Sequence, residues 1–324
     1  MKLPRRQFLH LAAGAALPAV SRVAGAQAYP TRPVRVMVGF APGQAIDIVT
    51  RIIGQRLSER LGQQFIIDNR PGAGGNIATE VVARAPADGY TLLAIGSNNM
   101  INPTLYQNLN YDFIRDIAPV ASVYRVPQVM EVNPSFPAKT VPEFIAYAKA
   151  HPGEISFASA GNGSVAHVTG ELFKMMTGVN MLHVPYRGAP PALTDLIAGQ
   201  VHVMFDNMPS SIEHIRAGRL RPLAVTATTR LEALPDVPPL GDLVPGFETS
   251  AWAGIGAPKN TPPEIIDQLN REINAVLAEP TIRTRVADLG GEVLALSPSE
   301  YTRRIAEETD KWAKVIKFSG AKAE

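Results

Sequence analysis

The stretch Ser159-Ala160-Gly161-Asn162-Gly163-Ser164-Val165-Ala166-His167 follows directly on the apolar run "ISFA" (155–158) and opens onto "VAHVTGELFKMM" (165–176). The latter carries apolar side chains at helical spacing. A strand, a glycine-rich turn and a helix in that order form the repeating unit of open α/β sheets. The turn is also a place to hold an anion, because the first N–H groups of a helix lack partners and its dipole is positive there.

Working outward, the same unit recurs. "VRVMVGF" (34–40) reads as a buried strand, Pro42-Gly43 as a turn, and Val49, Ile52, Ile53, Leu57 and Leu61 as one helix face. "QFIIDN" (64–69), "PGAGG" (71–75), "NIATEVVARA" (76–85) and "YTLLAIGS" (90–97) continue a βαβαβ progression, which predicts a parallel sheet with helices on both faces. After "VPEFIAYAKAHPG" (141–153), a second series alternates strands at 155–160, 181–186, 201–207 and 220–227 with helices between them. The long extended stretch "IAPVASVYRVPQVMEVNP" (117–134) and the Pro-rich "ALPDVPPLGDLVPGFE" (233–248) read as two crossings between the series. "WAGIGAP" (252–258) reads as one more strand and the rest of the chain as helices. The simplest architecture is two α/β lobes with a cleft between them: residues 29–124 plus 251–324 as lobe I, completed by the C-terminal helices, and 125–250 as lobe II. Clefts of that kind favour ligand binding.

A chain of 324 residues is long enough for two lobes, and 46% hydrophobic with 19% charged residues is a globular composition. Residues 1–28 read as an export signal. Lys2, Arg5 and Arg6 precede a short apolar stretch, and Ala26-Gln27-Ala28 supplies the cleavage pattern. Arg5-Arg6-Gln7-Phe8-Leu9 resembles a twin-arginine motif. The apolar stretch is far short of the roughly 20 residues a membrane span requires. Losing Lys2, Arg5, Arg6 and Arg22 with this segment takes the 31 basic residues to 27 against 29 acidic ones, so the net charge moves from +2 to −2. No basic patch remains for nucleic acid. The absence of cysteine excludes thiolate metal sites and a cysteine nucleophile.

Gly161, Gly163 and Ala166 match the dinucleotide pattern G-x-G-x-x-G/A. A dinucleotide site needs a carboxylate at the end of the next strand, and that strand ends in Pro185-Tyr186-Arg187. No P-loop string occurs, so no nucleotide cofactor is expected. As an anion grip the stretch works better: the glycines permit close backbone approach and Ser164 is a candidate N-cap. His167 reads equally as a packing residue or a ligand contact. The turn "FAPGQAID" (40–47) follows the same plan, with Asp47 either answering the helix dipole or holding a water or polar ligand group. Tyr186 and Asp206, at the ends of two lobe II strands, are candidate lining residues. No G-x-S-x-G, S-x-x-K or H-E-x-x-H string points to an enzyme. A hydrolase with a dispersed site stays open as an alternative.

Taken together, "PTRPVRVMVGFAPG", "DNRPGAGGNIATEVVARAPADGYTLL", "SFASAGNGSVAHVTGELF", "HVPYRGAPPALTDLIAGQVHVMFDN" and "APKNTPPEIIDQLNREINAVL" resemble the Bug receptors, the extracytoplasmic solute-binding proteins of tripartite tricarboxylate transporters. The resemblance implies a type II periplasmic-binding-protein fold that closes on a small carboxylate without catalysis. It implies a monomer in the periplasm serving membrane permease subunits, or a sensory module engaging a kinase. Carried over, the ligand set is Phe40, Ala41, Gln44, Ala45 and Asp47 from the first turn and Ser159, Ala160, Asn162, Gly163, Ser164 and His167 from the second, with Tyr186 and Asp206 behind. The first turn departs from the family pattern in Gln44, Ala45 and Ile46, which implies a larger, more apolar or aromatic acid, so the expected carboxylate is aliphatic or aromatic.

Overall fold

The computed structural model describes residues 29–323. The expected export signal, residues 1–28, lies outside them. Strand β1 (Val34–Val38) leads to helix α1 (Ala45–Leu61), β2 (Phe65–Asn69) through a 3₁₀ turn (Ala73–Gly75) to α2 (Asn76–Ala83), and β3 (Thr91–Gly96) to α3 (Asn98–Leu105). The single turn α4 (Phe113–Asp116) precedes β4 (Ile117–Val132), the longest strand at 16 residues. There follow α5 (Val141–Ala150), β5 (Ile155–Ser159), α6 (Val165–Thr177), β6 (Met181–Pro185), α7 (Ala189–Ile197), β7 (Val203–Asn207), α8 (Met208–Arg216) and β8 (Arg221–Val225). The chain returns along β9 (Ser250–Pro258) and ends in α9 (Pro263–Leu277), α10 (Pro280–Asp288), β10 (Glu292–Val293) and α11 (Pro298–Ser319). Helix α3 is not legible from periodicity, because "NNMINPTL" is polar and carries Pro103.

The strands run in the order β2-β1-β3-β9-β4-β7-β5-β6, with β8 and β10 also on β4. Strand β1 is parallel to β2 and β3, and β5 to β6 and β7. The sheet is nevertheless mixed rather than all parallel: β9 pairs antiparallel with β3 and β4, and β4 antiparallel with β7 and β8. The reason is topological. β4 carries the chain from one half to the other and β9 carries it back, so the two must run in opposite directions. The handover is sharp: Pro127 of β4 faces Ser250 of β9, and one residue on Gln128 faces Asn207 of β7.

Both faces of β1 are covered from Val36 onward, so the strand is apolar except for Arg35, which is exposed and paired with Asp68. Val34, Val36 and Val38 face α1 and α9, in a core with Ile53, Leu57, Leu269 and Ile273. On the opposite face a single apolar cluster extends from Met37, Leu93 and Ile95 through Ile101, Leu105 and Trp312 to Phe144, Phe157 and Phe173. Helix α11 is central to it. It packs on α3 from the first half and α6 from the second, so it straddles both rather than completing lobe I alone. Its start is fixed by a reciprocal capping box between Ser297 and Glu300, and its end by the left-handed Gly320.

Close packing of α11 on β9 depends on Gly254. A Cβ there would lie 2.2 Å from the Tyr301 hydroxyl and 2.6 Å from the Ala121 carbonyl oxygen. Gly254→Ala is expected to destabilise the fold by about 1–3 kcal/mol, the range for overpacking a core. Urea unfolding measures it, and an unchanged midpoint would contradict the packing described.

Candidate functional site

The turns before α1 and α6 are built on one device. Gly43 (φ +87°) donates its N–H to Asp47 Oδ2 at 2.8 Å, and Gly163 (φ +74°) donates its N–H to His167 Nδ1 at 3.0 Å. In each turn a glycine in the left-handed region is pinned by a buried side chain four residues later, one turn into the helix. Asp47 and His167 are 1% and 3% exposed. In the sequence each is open between a structural role and a ligand contact. The structure shows both acting on their own backbone.

Asp47 is fully occupied. Oδ1 accepts from Asn69 Nδ2 at 2.8 Å and lies 3.0 Å from an Arg51 guanidinium nitrogen, while Oδ2 also accepts from Arg51 Nε at 3.0 Å. Burial opposes its charge, but the hydrogen bonds from Arg51, Gly43 and Asn69 outweigh burial and hold the carboxyl below its usual range. Asn69 also donates to the Phe40 carbonyl at 3.0 Å, so the end of β2 braces the turn. The backbone of Gly75 presses on this turn from the other side: a Cβ on Gly39 would sit 2.7 Å from the Gly75 Cα. Ile46 points into the core, 9% exposed, and contributes no bulk to an open surface. Ala41, Gln44 and Ala45 are exposed and Phe40 is half-buried.

The second turn is braced by stacked rings. The His167 and His183 imidazoles lie 3.8 Å apart and 6° from parallel, with the Phe157 ring 4.8 Å from His183 and 6.4 Å from His167. His183 Nε2 meets the Ser159 hydroxyl at 2.6 Å, and Ser159 Oγ also contacts the Gly161 backbone. Burial, with Lys174 assisting, pushes His167 down to about 4; burial, then His167 and Lys174, pushes His183 down to about 3. Both rings are therefore neutral at ordinary pH. His183 was passed over in the sequence. What places it is the parallel pairing of Phe157 with His183, a register that no local pattern announces. Ser164 caps α6 by accepting from His167 N at 3.2 Å, which uses an oxygen lone pair and not the hydroxyl proton. Ala160 is half-buried and Asn162 exposed on the turn.

What remains at both turns is a set of backbone donors. The N–H groups of Ala45, Ile46 and Asp47, and those of Val165 and Ala166, have no backbone or side-chain acceptor among the described residues. Gln44 does not cap α1. Helix α3 connects the two turns. Gly96, just before it, lies against Phe40 and Ile46, while Gly163 packs on Leu105 and Ile101, such that a Cβ on Gly163 would sit 2.3 Å from Leu105 Cδ2. An eight-residue helix is about 12 Å long, so the turns are near neighbours.

Two other predicted residues are tied up elsewhere. The Tyr186 hydroxyl donates to Asp195 at 2.7 Å, and burial followed by that bond pushes it up to about 12. Its backbone N–H still reaches the Ser159 carbonyl at 3.0 Å, so Tyr186 supports the turn through its main chain. Asp206 is an internal carboxyl, 2% exposed under α8, where Ser211 bridges it (3.2 Å) to the buried Glu131 (2.6 Å). Burial pushes Asp206 up to about 6; burial, then Asp206, raises Glu131 well above its usual range.

A two-lobed α/β chain with amide-lined turns, one braced by a paired carboxylate and the other by neutral imidazoles, has the make-up of a solute-binding protein. The comparisons give the family. Residues 49–321 match the tripartite tricarboxylate transporter family receptor model, and the chain belongs to that family. It is 38% identical over 300 residues to Protein BugT of Bordetella pertussis, covering 92% of each chain. Among solved structures it is similar to R. palustris Rpa4515 with adipate (40% identity, TM-score 0.77, 90% of this chain and 98% of that one). It is also similar to MatC from Rhodopseudomonas palustris with bound malate (33%, 0.75, 89% and 100%) and to the periplasmic binding protein BugD (34%, 0.74, 91% and 100%). The family and these neighbours are solute-binding receptors, not enzymes. Among the described residues no helix is long and apolar enough to cross a membrane.

Two substitutions test the pins. Asp47 has a folded pKa below its unfolded value, so its contribution is present in full above the unfolded value of about 4 and is lost as pH falls through the folded one. Asp47→Asn is expected to cost about 1–3 kcal/mol at pH 7, with the difference from wild type shrinking below about pH 4. His167 is held neutral, so below its unfolded value of about 6.5 it opposes folding progressively as pH falls toward its folded value. His167→Gln should therefore compare better with wild type at pH 5 than at pH 7, by up to about 1.4 kcal/mol per pH unit. Urea unfolding across pH measures both differences, and parallel curves would contradict the assignments.

Proposed function

We propose that this protein is a periplasmic receptor that captures a small organic carboxylate between the turn at 40–47 and the turn at 159–167 and delivers it to the permease subunits of a tripartite transporter. The observation that carries the reading is the shared device. In both turns glycine and its buried acceptor are satisfied internally, and the neighbouring helix-start N–H groups are left to face a guest. Membership of the family supports the receptor role, and the relatives solved with adipate and malate support a carboxylate ligand.

In this reading the lobes comprise 29–124 with 251–324, and 125–250, with α11 lying across their junction. The carboxylate accepts from helix-start amides of both lobes. Closing the lobes expels water, so those dipoles act in a medium of lower dielectric. Ligand contacts made only in the closed form shift the lobes toward it by no more than the difference in affinity between the two forms. No cationic side chain belongs to either turn's ligand set, so recognition rests on neutral donors and helix dipoles. Phe40 and the Gln44 side chain would set the length and polarity of the acid accepted. Export through the segment at 1–28 delivers the receptor to the periplasm.

With adipate as the probe at about 100 times its Kd, ligand binding adds about 2.7 kcal/mol of stability, a rise of several degrees in Tm. Ser164→Ala should reduce the adipate-induced rise as well as the baseline. A panel in which only cations or neutral sugars stabilise the protein would overturn the reading.

A further inference from the structure

Gln128 is fully buried at the one position where β4 leaves β9 and joins β7 and β8. All of its polar groups are engaged, and its partners come from every segment that meets there. Its N–H donates to Thr226 Oγ1 at 2.8 Å and its carbonyl accepts from Thr226 N at 2.8 Å. Thr226 Oγ1 in turn donates to the Thr249 carbonyl at 2.7 Å, just before β9. The two crossings between the halves of the molecule are thereby stitched side by side.

The side chain of Gln128 reaches further. Oε1 accepts from Thr249 Oγ1 at 3.2 Å and from Thr169 Oγ1 at 2.6 Å, while Nε2 donates to the Phe205 carbonyl at 3.0 Å. Thr169 is 0% exposed and lies on α6, two residues after the His167 that pins the glycine turn. A direct covalent and hydrogen-bonded path therefore runs from the turn at 159–167 through one turn of α6 to the pair of crossing strands. Of the amide's hydrogen bonds, the one from Thr169 is the shortest. The amide and all of these partners lie within 125–250, at the lobe II end of the two crossings, one to three residues from where the strands pass into the other half.

We propose that Gln128 and Thr169 are positioning residues that couple the α6 turn to the inter-lobe hinge: the Thr169–Gln128 bond ties α6 to the crossing strands where they enter lobe II and, with the Thr226 and Thr249 bonds, limits how those strands bend toward lobe I. A buried amide with mutually satisfied partners has few alternative arrangements, because each lost bond leaves an unpaired group away from water. Movement of α6 must then be accompanied by movement at the hinge. The proposal rests on the two-lobed fold and not on the identity of the ligand, so it is tested without one.

The chain contains no cysteine, so a donor–acceptor dye pair attached at Lys149→Cys on α5 and Asp267→Cys on α9 reports the inter-lobe distance in the ligand-free protein. Thr169→Val keeps the shape and removes the hydroxyl, and Thr169→Ser restores it. Single-molecule energy transfer should give one narrow population for wild type and Thr169→Ser. Thr169→Val and Gln128→Leu should give a broadened or second population. Thr79→Val, a buried threonine outside the node, serves as the stability control and should leave the distance unchanged. The proposal is overturned if Thr169→Val and Gln128→Leu lower Tm as Thr79→Val does but leave the distance distribution intact, or if Thr169→Ser shifts it as much as Thr169→Val.

Discussion

A backbone N–H can serve a ligand only if the turn that carries it holds its shape when empty. In this protein that requirement is met twice by one arrangement, a left-handed glycine whose N–H is held by the side chain four residues on, Gly43 by Asp47 and Gly163 by His167. Left-handed glycine backbone is flexible, and the pin removes that freedom where a vacant site would otherwise collapse. The remaining features of the site follow from it. Asn69 and Arg51 hold Asp47, the His183 ring supports His167, and Gly75 and Leu105 press the two turns from behind.

The two pins differ in charge, and the difference is informative. An ionised Asp47 beneath a helix N-terminus would repel an anionic guest, but the Arg51 guanidinium, the Gly43 N–H and the Asn69 amide surround it and offset its charge. His167 is neutral because it is buried, so the second turn presents dipoles without a full charge. In the function proposed above, binding to such a surface depends on exclusion of water, which strengthens dipolar attraction, and exclusion of water depends on lobe movement. On that proposal, the chemistry of the turns and the mechanics of β4 and β9 belong to one design.

Much of this architecture could be read in advance. The strand–turn–helix units, including the glycine turn of "SAGNGSVAH", and the long crossing at 117–134 rest on local pattern and need no tertiary information. Three features were hidden for identifiable reasons. Helix α3 carries Pro103 and polar residues, so its periodicity is silent, yet it links the turns. His183 depends on strand register, which only packing sets. Asp206 and Tyr186 sit at strand ends where lining residues are expected, but Ser211 and Asp195 offer them closer partners within their own half. The G-x-x-x-Asp and G-x-x-x-His spacings were present in both turns. Their equivalence emerges only when each side chain is seen to fold back on its own glycine.

The central claim is that the pinned turns leave helix-start amides of both halves to a single anionic guest. Amide chemical shifts of ¹⁵N-labelled protein, recorded while titrating the organic acid that most raises its Tm, test it directly. The expected result is concerted movement of the Ala45, Ile46, Val165 and Ala166 resonances with one Kd. Shifts confined to one turn, or two sets saturating at different concentrations, would contradict it.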